Sequence, residues 1–112
     1  MKLLIVGGNG QVGFELRRSL AVLGDVVAAD RSRCDVADRD QVRALMWAEQ
    51  PDVVVNAAAY TAVDRAEEFP SLAMRVNCDG PAALAEEADD LGTLLVHYST
   101  DHVFDGSRDR PY

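Results

Sequence analysis

The chain has 112 residues, with 11 Lys+Arg against 19 Asp+Glu and a formal net charge of −8. That length suits one domain and is too short for two, and a hydrophobic fraction of 48% argues against intrinsic disorder. The acidic balance argues against nucleic acid or an anionic membrane surface as partner, since either demands a basic patch.

Leu3-Leu4-Ile5-Val6 is a short apolar run that stops at Gly7-Gly8, the pattern of a strand buried on both faces of a parallel sheet. Val12, Leu16, Leu20 and Leu23 then recur at helical spacing, and Gly24 ends that helix. Val26–Ala29 reads as a second strand ending at Asp30. Asp38 and Gln41 have the spacing of a helix N-cap and its third-position partner. Val42, Leu45 and Met46 supply that helix with an apolar face, and Gln50-Pro51 ends it.

Val53–Val55 is a third buried strand, closing at Asn56. A polar loop is expected from Ala57 to Phe69, and Pro70 suits a helix start. Leu72, Val76, Leu84, Ala88 and Leu91 mark a long helix ending at Gly92, interrupted by Asp79-Gly80-Pro81, where a kink or two abutting helices are expected. Leu94–Val96 is the fourth strand, followed by Ser99-Thr100-Asp101. The tail from Phe104 to Tyr112 is turn-rich and expected to be mobile.

The order βαβαβαβ predicts an α/β fold: a Rossmann-type, doubly wound parallel sheet of about four strands, with the strands expected in the order 3-2-1-4. Ligands of such sheets bind outside the carboxyl ends of the strands, so the chemistry is sought at 7–13, 30–33, 56–61 and 98–101. The fourth strand falls on an edge, which invites self-association.

Cys34 and Cys78 fit neither a disulfide framework nor a zinc site and read as reduced thiols; no metal is expected. No signal peptide is visible, and nothing approaches the roughly 18 apolar residues of a membrane span. The expected compartment is the cytoplasm.

Gly7-Gly8-Asn9-Gly10-Gln11-Val12-Gly13 satisfies both G-x-G-x-x-G, through Gly8, Gly10 and Gly13, and G-x-x-G-x-x-G, through Gly7, Gly10 and Gly13. Such a loop turns tightly from strand to helix, lets backbone approach a pyrophosphate and aims the helix N-terminus at it. Asp30 lies twenty residues after Gly10, where an acidic side chain can accept hydrogen bonds from an adenosine ribose. It would repel a 2′-phosphate, and Arg31 and Arg33 beside it could offset that repulsion. Both NADH and NADPH remain open as cofactor.

The glycine loop, Asn56-Ala57-Ala58-Ala59-Tyr60-Thr61-Ala62-Val63-Asp64, Val76-Asn77 and His97-Tyr98-Ser99-Thr100-Asp101 together resemble the dTDP-4-dehydrorhamnose reductase family, of the extended short-chain dehydrogenase/reductase superfamily. The resemblance covers the whole chain. It implies an NAD(P)-binding Rossmann-like domain over 1–112, corresponding to the family's amino-terminal portion, with the carboxyl-terminal substrate-binding region absent.

In that family NAD(P)H reduces dTDP-4-dehydro-L-rhamnose to dTDP-L-rhamnose. The resemblance implies cofactor contacts at Gly7, Gly10, Gln11, Val12 and Gly13 on the pyrophosphate side. It implies Asp30 at the adenosine, Asp35 and Val36 beside the adenine, and Ala59, Tyr60, Thr61 and Tyr98 along the cofactor. Thr100 and Asp101 would touch the dTDP-sugar substrate, and Thr100 is the hydroxyl member of a Thr-Tyr-Lys catalytic set. Taken singly, Thr100 is also an ordinary turn former or cap.

Two departures stand out. His102 occupies a position where the family usually has Tyr. The superfamily's Tyr-x-x-x-Lys is missing, since Lys2 is the only lysine. The expectation is therefore a chain of reductase lineage that is inactive alone. The alternative is a non-catalytic dinucleotide-binding fragment or gene remnant.

Overall fold

The computed structural model describes residues 1–112. Its elements are β1 (Lys2–Val6), α1 (Gln11–Ser19), β2 (Asp25–Ala29), α2 (Arg39–Glu49), β3 (Val53–Asn56), α3 (Val63–Glu68), α4 (Pro70–Met74), α5 (Gly80–Leu91) and β4 (Leu94–His97). Single 3-10 turns follow α1 at Leu20–Val22 and β4 at Asp101–Val103. No helix is long and apolar enough to cross a membrane.

All four strands are parallel and lie in the order β2-β1-β3-β4. This corrects the expected order 3-2-1-4: β3 pairs with β1, with Leu3 opposite Val53 and Val6 opposite Asn56. The burial of the strands explains the difference. β1 and β3 are buried along nearly their whole length, whereas β2 is covered fully only at Ala29. β1 and β3 have a strand on either side, whereas β2 and β4 take the edges and are less covered.

Alternation along the strands divides the sheet into two faces. Leu4, Val6, Ala29 and Val54 join Val42, Leu45 and Met46 of α2 and Ala83, Leu84 and Ala88 of α5 in one core. On the opposite face, α1 lies against β1 and β2. Beyond α1 that face is open along β4, with Leu94 62% and Val96 40% exposed. α1 also ends earlier than its spacing predicted, passing at Leu20 into a 3-10 turn that leaves Val22 and Leu23 exposed.

The helix termini follow local chemistry. Asp38 caps α2 by accepting from the N–H groups of Asp40 (3.0 Å) and Gln41 (3.2 Å), and Gln41 returns a hydrogen bond from its side-chain amide. The expected loop from Ala57 to Phe69 contains α3, a six-residue helix with no buried residue and therefore no apolar period to read.

The expected interruption near Pro81 is a π turn over Arg75–Asp79. Proline has no N–H to give to the carbonyl four residues earlier. The helix widens instead, and the N–H of Gly80 donates to the carbonyl of Arg75. Gly80 is also pressed against α2's approach, where a Cβ would lie 2.9 Å from the Val36 carbonyl oxygen.

Candidate functional site

The order β2-β1-β3-β4 places the topological switch point between β1 and β3. The glycine loop leaves β1 there, and residues 57–61 leave β3 beside it. Gly7 and Gly8 both donate their N–H to the carbonyl of Ala29, at 2.9 and 3.0 Å, and Gly10 donates to Gly7.

The glycines divide by role. Gly7 has φ +82°, and a Cβ there would sit 2.6 Å from the Ala58 nitrogen. A Cβ on Gly13 would lie 2.8 Å from the Gly8 Cα. Both positions are required for β1, α1 and the β3 loop to close together. Gly10 differs, since its Cβ would meet nothing nearer than the Gly7 carbonyl oxygen at 3.5 Å. A side chain at Gly10 fits the protein and projects toward the space above the loop. No side chain caps α1 at Gly10, so its first-turn N–H groups face that space unpaired.

That space is a cleft of about 1130 Å³. It brings together Gly10, Gln11 and Val12 with Ala59, Tyr60, Thr61, Tyr98 and Thr100, all expected from the sequence. Thr100 serves two ends. Its hydroxyl accepts from the His102 N–H at 3.2 Å, capping the 3-10 turn, while the residue lines the cleft. Asp101 lies in that turn, accepting from the Thr100 hydroxyl at 3.4 Å, and does not line the cleft.

Two asparagines, both within the stretches that carry the family resemblance but not named among the expected site residues, shape the wall. Asn56 is buried at the end of β3, and its Oδ1 accepts from the Ala58 N–H at 3.1 Å. Its Nδ2 therefore faces His97 Nδ1 at 3.2 Å, so the imidazole accepts there. Asn77, carried on the π turn, brackets Tyr60, accepting from its N–H at 2.8 Å and donating to its carbonyl at 3.1 Å. The π turn is what aims Asn77 into the cleft, and nothing in the apolar spacing signals it.

Asp30 lies apart from the cleft, at the end of β2. Its Oδ1 accepts from the Ser32 N–H (2.9 Å), the Ser32 hydroxyl (2.5 Å) and the Arg33 N–H (3.2 Å). Its Oδ2 accepts no hydrogen bond. The Ser32 hydroxyl first, and then the backbone donors, hold its carboxyl below the usual range, so it is a fixed anionic acceptor. Arg33 is ion-paired with Glu49, and Arg31 leans toward Asp35 at 3.8 Å. Neither lines the small notch beside Asp30, which is formed with Gly8, Asn9, Arg17, Val26 and Ala28.

Asp35 and Val36 line neither cavity. Val36 is 6% exposed and part of the core, and the Asp35 carboxylate accepts from the Ala37 N–H at 3.0 Å. Both cysteines are free thiols. Burial first, then Asp35 and Asp38, pushes the Cys34 thiol up to about 11, which makes it unreactive. No group of His, Cys, Asp and Glu is arranged to hold a metal.

Residues 1–112 match the family described as the RmlD substrate binding domain. The chain is 51% identical over its whole length to a dTDP-4-dehydrorhamnose reductase of Burkholderia thailandensis, of which it covers 38%. A crystal structure of a dTDP-4-dehydrorhamnose reductase from Clostridium acetobutylicum superposes with TM-score 0.95 at 40% identity, over all of this chain and 40% of that one. A second, from Bacillus anthracis in complex with NADP, gives TM-score 0.91 at 34% identity over 96% of this chain and 38% of that one. The chain thus spans about two fifths of the length of these relatives.

Proposed function

Because this chain belongs to the RmlD substrate binding domain family, we propose that residues 1–112 form the dinucleotide-binding part of an NAD(P)H-dependent dTDP-4-dehydrorhamnose reductase. The observation that carries this reading is Gly10, a glycine that the protein's own packing does not require, at the uncapped N-terminus of α1. A bound dinucleotide needs that opening for its pyrophosphate. NADP in the Bacillus anthracis relative supports the same cofactor class.

In this reading Gln11 and Val12 offer first-turn N–H groups to phosphate, and Asp30 takes the adenosine ribose at Oδ2. Ala59, Tyr60, Thr61 and Tyr98 flank the nicotinamide half, and the cofactor supplies hydride when bound. Thr100 donates a hydrogen bond to the keto oxygen of the dTDP-sugar, where negative charge develops. Asp101 reaches that sugar only if its 3-10 turn opens.

No Tyr-x-x-x-Lys lies within these 112 residues. Lys2 is ion-paired with Glu49 at 2.7 Å, at the start of β1, far from the strand ends that form the cleft. In this reading the Tyr and Lys of that motif are supplied by polypeptide outside these residues. The open edge of β4 is the surface through which such a polypeptide, or a second copy of this chain, would pair.

The test is calorimetric titration of NADPH and NADH into the wild-type chain and Gly10→Val. Binding to wild type and none to a folded Gly10→Val supports the reading. Equal affinity in the two would overturn it.

A further inference from the structure

The notch beside Asp30 has a volume of about 170 Å³ and is lined by Gly8, Asn9, Arg17, Val26, Ala28 and Asp30. Arg17 is the cation within it, and its side chain makes no ion pair or hydrogen bond. The neighbouring charges are occupied elsewhere: Arg18 with Glu15 at 3.5 Å, Arg31 with Asp35 at 3.8 Å, and Arg33 with Glu49.

Helix direction explains why Arg17 arrives there. Side chains of an α-helix tilt back toward its N-terminus. Arg17 sits on the second turn of α1, so its long side chain runs back up along Val26 and Ala28 toward the end of β2. That is where Asp30 stands, with one oxygen held by three donors and the other free.

A notch lined by an anionic carboxylate and by an arginine with no ion-pair partner suits a group that is both hydroxyl and phosphate: a ribose carrying a phosphoryl ester. Asp30 accepts from the ribose hydroxyl, and Arg17 meets the phosphate with its planar fork of donors.

We infer that Arg17, rather than Arg31 or Arg33, admits the 2′-phosphate of NADPH despite Asp30. This inference rests on the dinucleotide reading above and assigns the residue that sets its cofactor preference.

The experiment compares NADPH and NADH affinities for wild type, Arg17→Gln and Arg18→Gln. Arg18 is the adjacent arginine and carries the same charge, so Arg18→Gln controls for net charge. The expected result is a loss of roughly tenfold or more in NADPH affinity for Arg17→Gln, the scale of one charge-assisted hydrogen bond. NADH affinity should be unchanged, and Arg18→Gln should resemble wild type. Adenosine 2′,5′-bisphosphate should follow NADPH, and adenosine 5′-monophosphate should follow NADH.

Unchanged NADPH affinity in Arg17→Gln would overturn the inference while NADH binding left the dinucleotide reading standing. An equal fall with Arg18→Gln would also overturn it, reducing the effect to long-range charge. Wild type that bound neither dinucleotide would end both the reading and the inference.

Discussion

Asn77 grips Tyr60 by both of its backbone polar groups, accepting from the N–H at 2.8 Å and donating to the carbonyl at 3.1 Å. Seventeen residues separate the two, and the bracket joins the π turn to the loop after β3. Asn56 holds the same loop two residues earlier, through the Ala58 N–H. The segment lining the cleft is thus fixed by two carboxamides rather than by regular secondary structure.

Asn77→Ala removes both hydrogen bonds at an exposed site. The expected cost is about 1–2 kcal/mol of stability, read from the midpoint of urea unfolding with an unchanged slope. Dinucleotide affinity should fall severalfold because residues 59–61 lose their register. Asn77→Asp keeps the acceptor for the Tyr60 N–H but sets a carboxylate against its carbonyl, and it should be no better than alanine. Wild-type affinity in both variants would show that the bracket does not shape the site.

Acid should weaken the fold through a definable group. Lys2, by hydrogen bond and charge, and then Arg33 hold the Glu49 carboxyl below its ordinary value of 4.5. A lowered folded-state value means that the stabilisation is complete above the ordinary value. It is lost as pH falls from there through the lowered one. Asp30, Asp38 and Asp105 are lowered as well, Asp105 to about 2 by its Ser107 and Tyr112 partners, and add to the same trend. Glu49→Gln should be less stable than wild type at neutral pH and show a smaller loss on acidification. Parallel stability–pH curves would contradict this.

Catalysis by these residues alone should be undetectable. Delivery of hydride to a ketone leaves an oxygen that needs a proton, and general acid catalysis of such steps contributes roughly 10²–10⁴-fold. A threonine hydroxyl such as that of Thr100 is too weak an acid for that task. NADPH oxidation with the keto sugar nucleotide should stay at background. It should appear when a separate polypeptide bearing Tyr-x-x-x-Lys from a relative is added. Turnover by the chain alone that vanished in Thr100→Val would contradict this account.

The chain should also self-associate. Leu94 and Val96 present apolar side chains on β4, whose outer backbone groups have no strand partner. Sedimentation velocity is expected to show concentration-dependent oligomers, and Leu94→Lys should shift them toward monomer. A wild-type chain that stayed monomeric at every concentration would refute it.

Much of this architecture was legible in the residues. Four apolar runs closed by glycine or polar residues correspond to the four strands, and Asp38 and Gln41 form the cap their spacing announced. The glycine loop identified one wall of the cleft. Strand order was not legible, because an apolar run reads alike in the centre and near an edge. Only the tertiary burial of β1 and β3 separates them from β2.

The parts of the site that escaped depend on distant contacts. Asn77 lines the cleft from the π turn that precedes Pro81. Arg33 was drawn to Glu49, sixteen residues away, and Arg17 was placed beside Asp30 by the packing of α1 on β2. No local pattern encodes either choice.

The most direct measurement is titration of NADPH into the isotopically labelled chain, followed by backbone amide NMR. The account predicts that Gly10, Gln11 and Val12 shift most, together with residues 59–61 and 30–33, while Asp105 and Ser107 in the tail stay still. Shifts confined to the tail or to the β4 edge, or none at saturating NADPH, would contradict a dinucleotide site at the β1–β3 switch point.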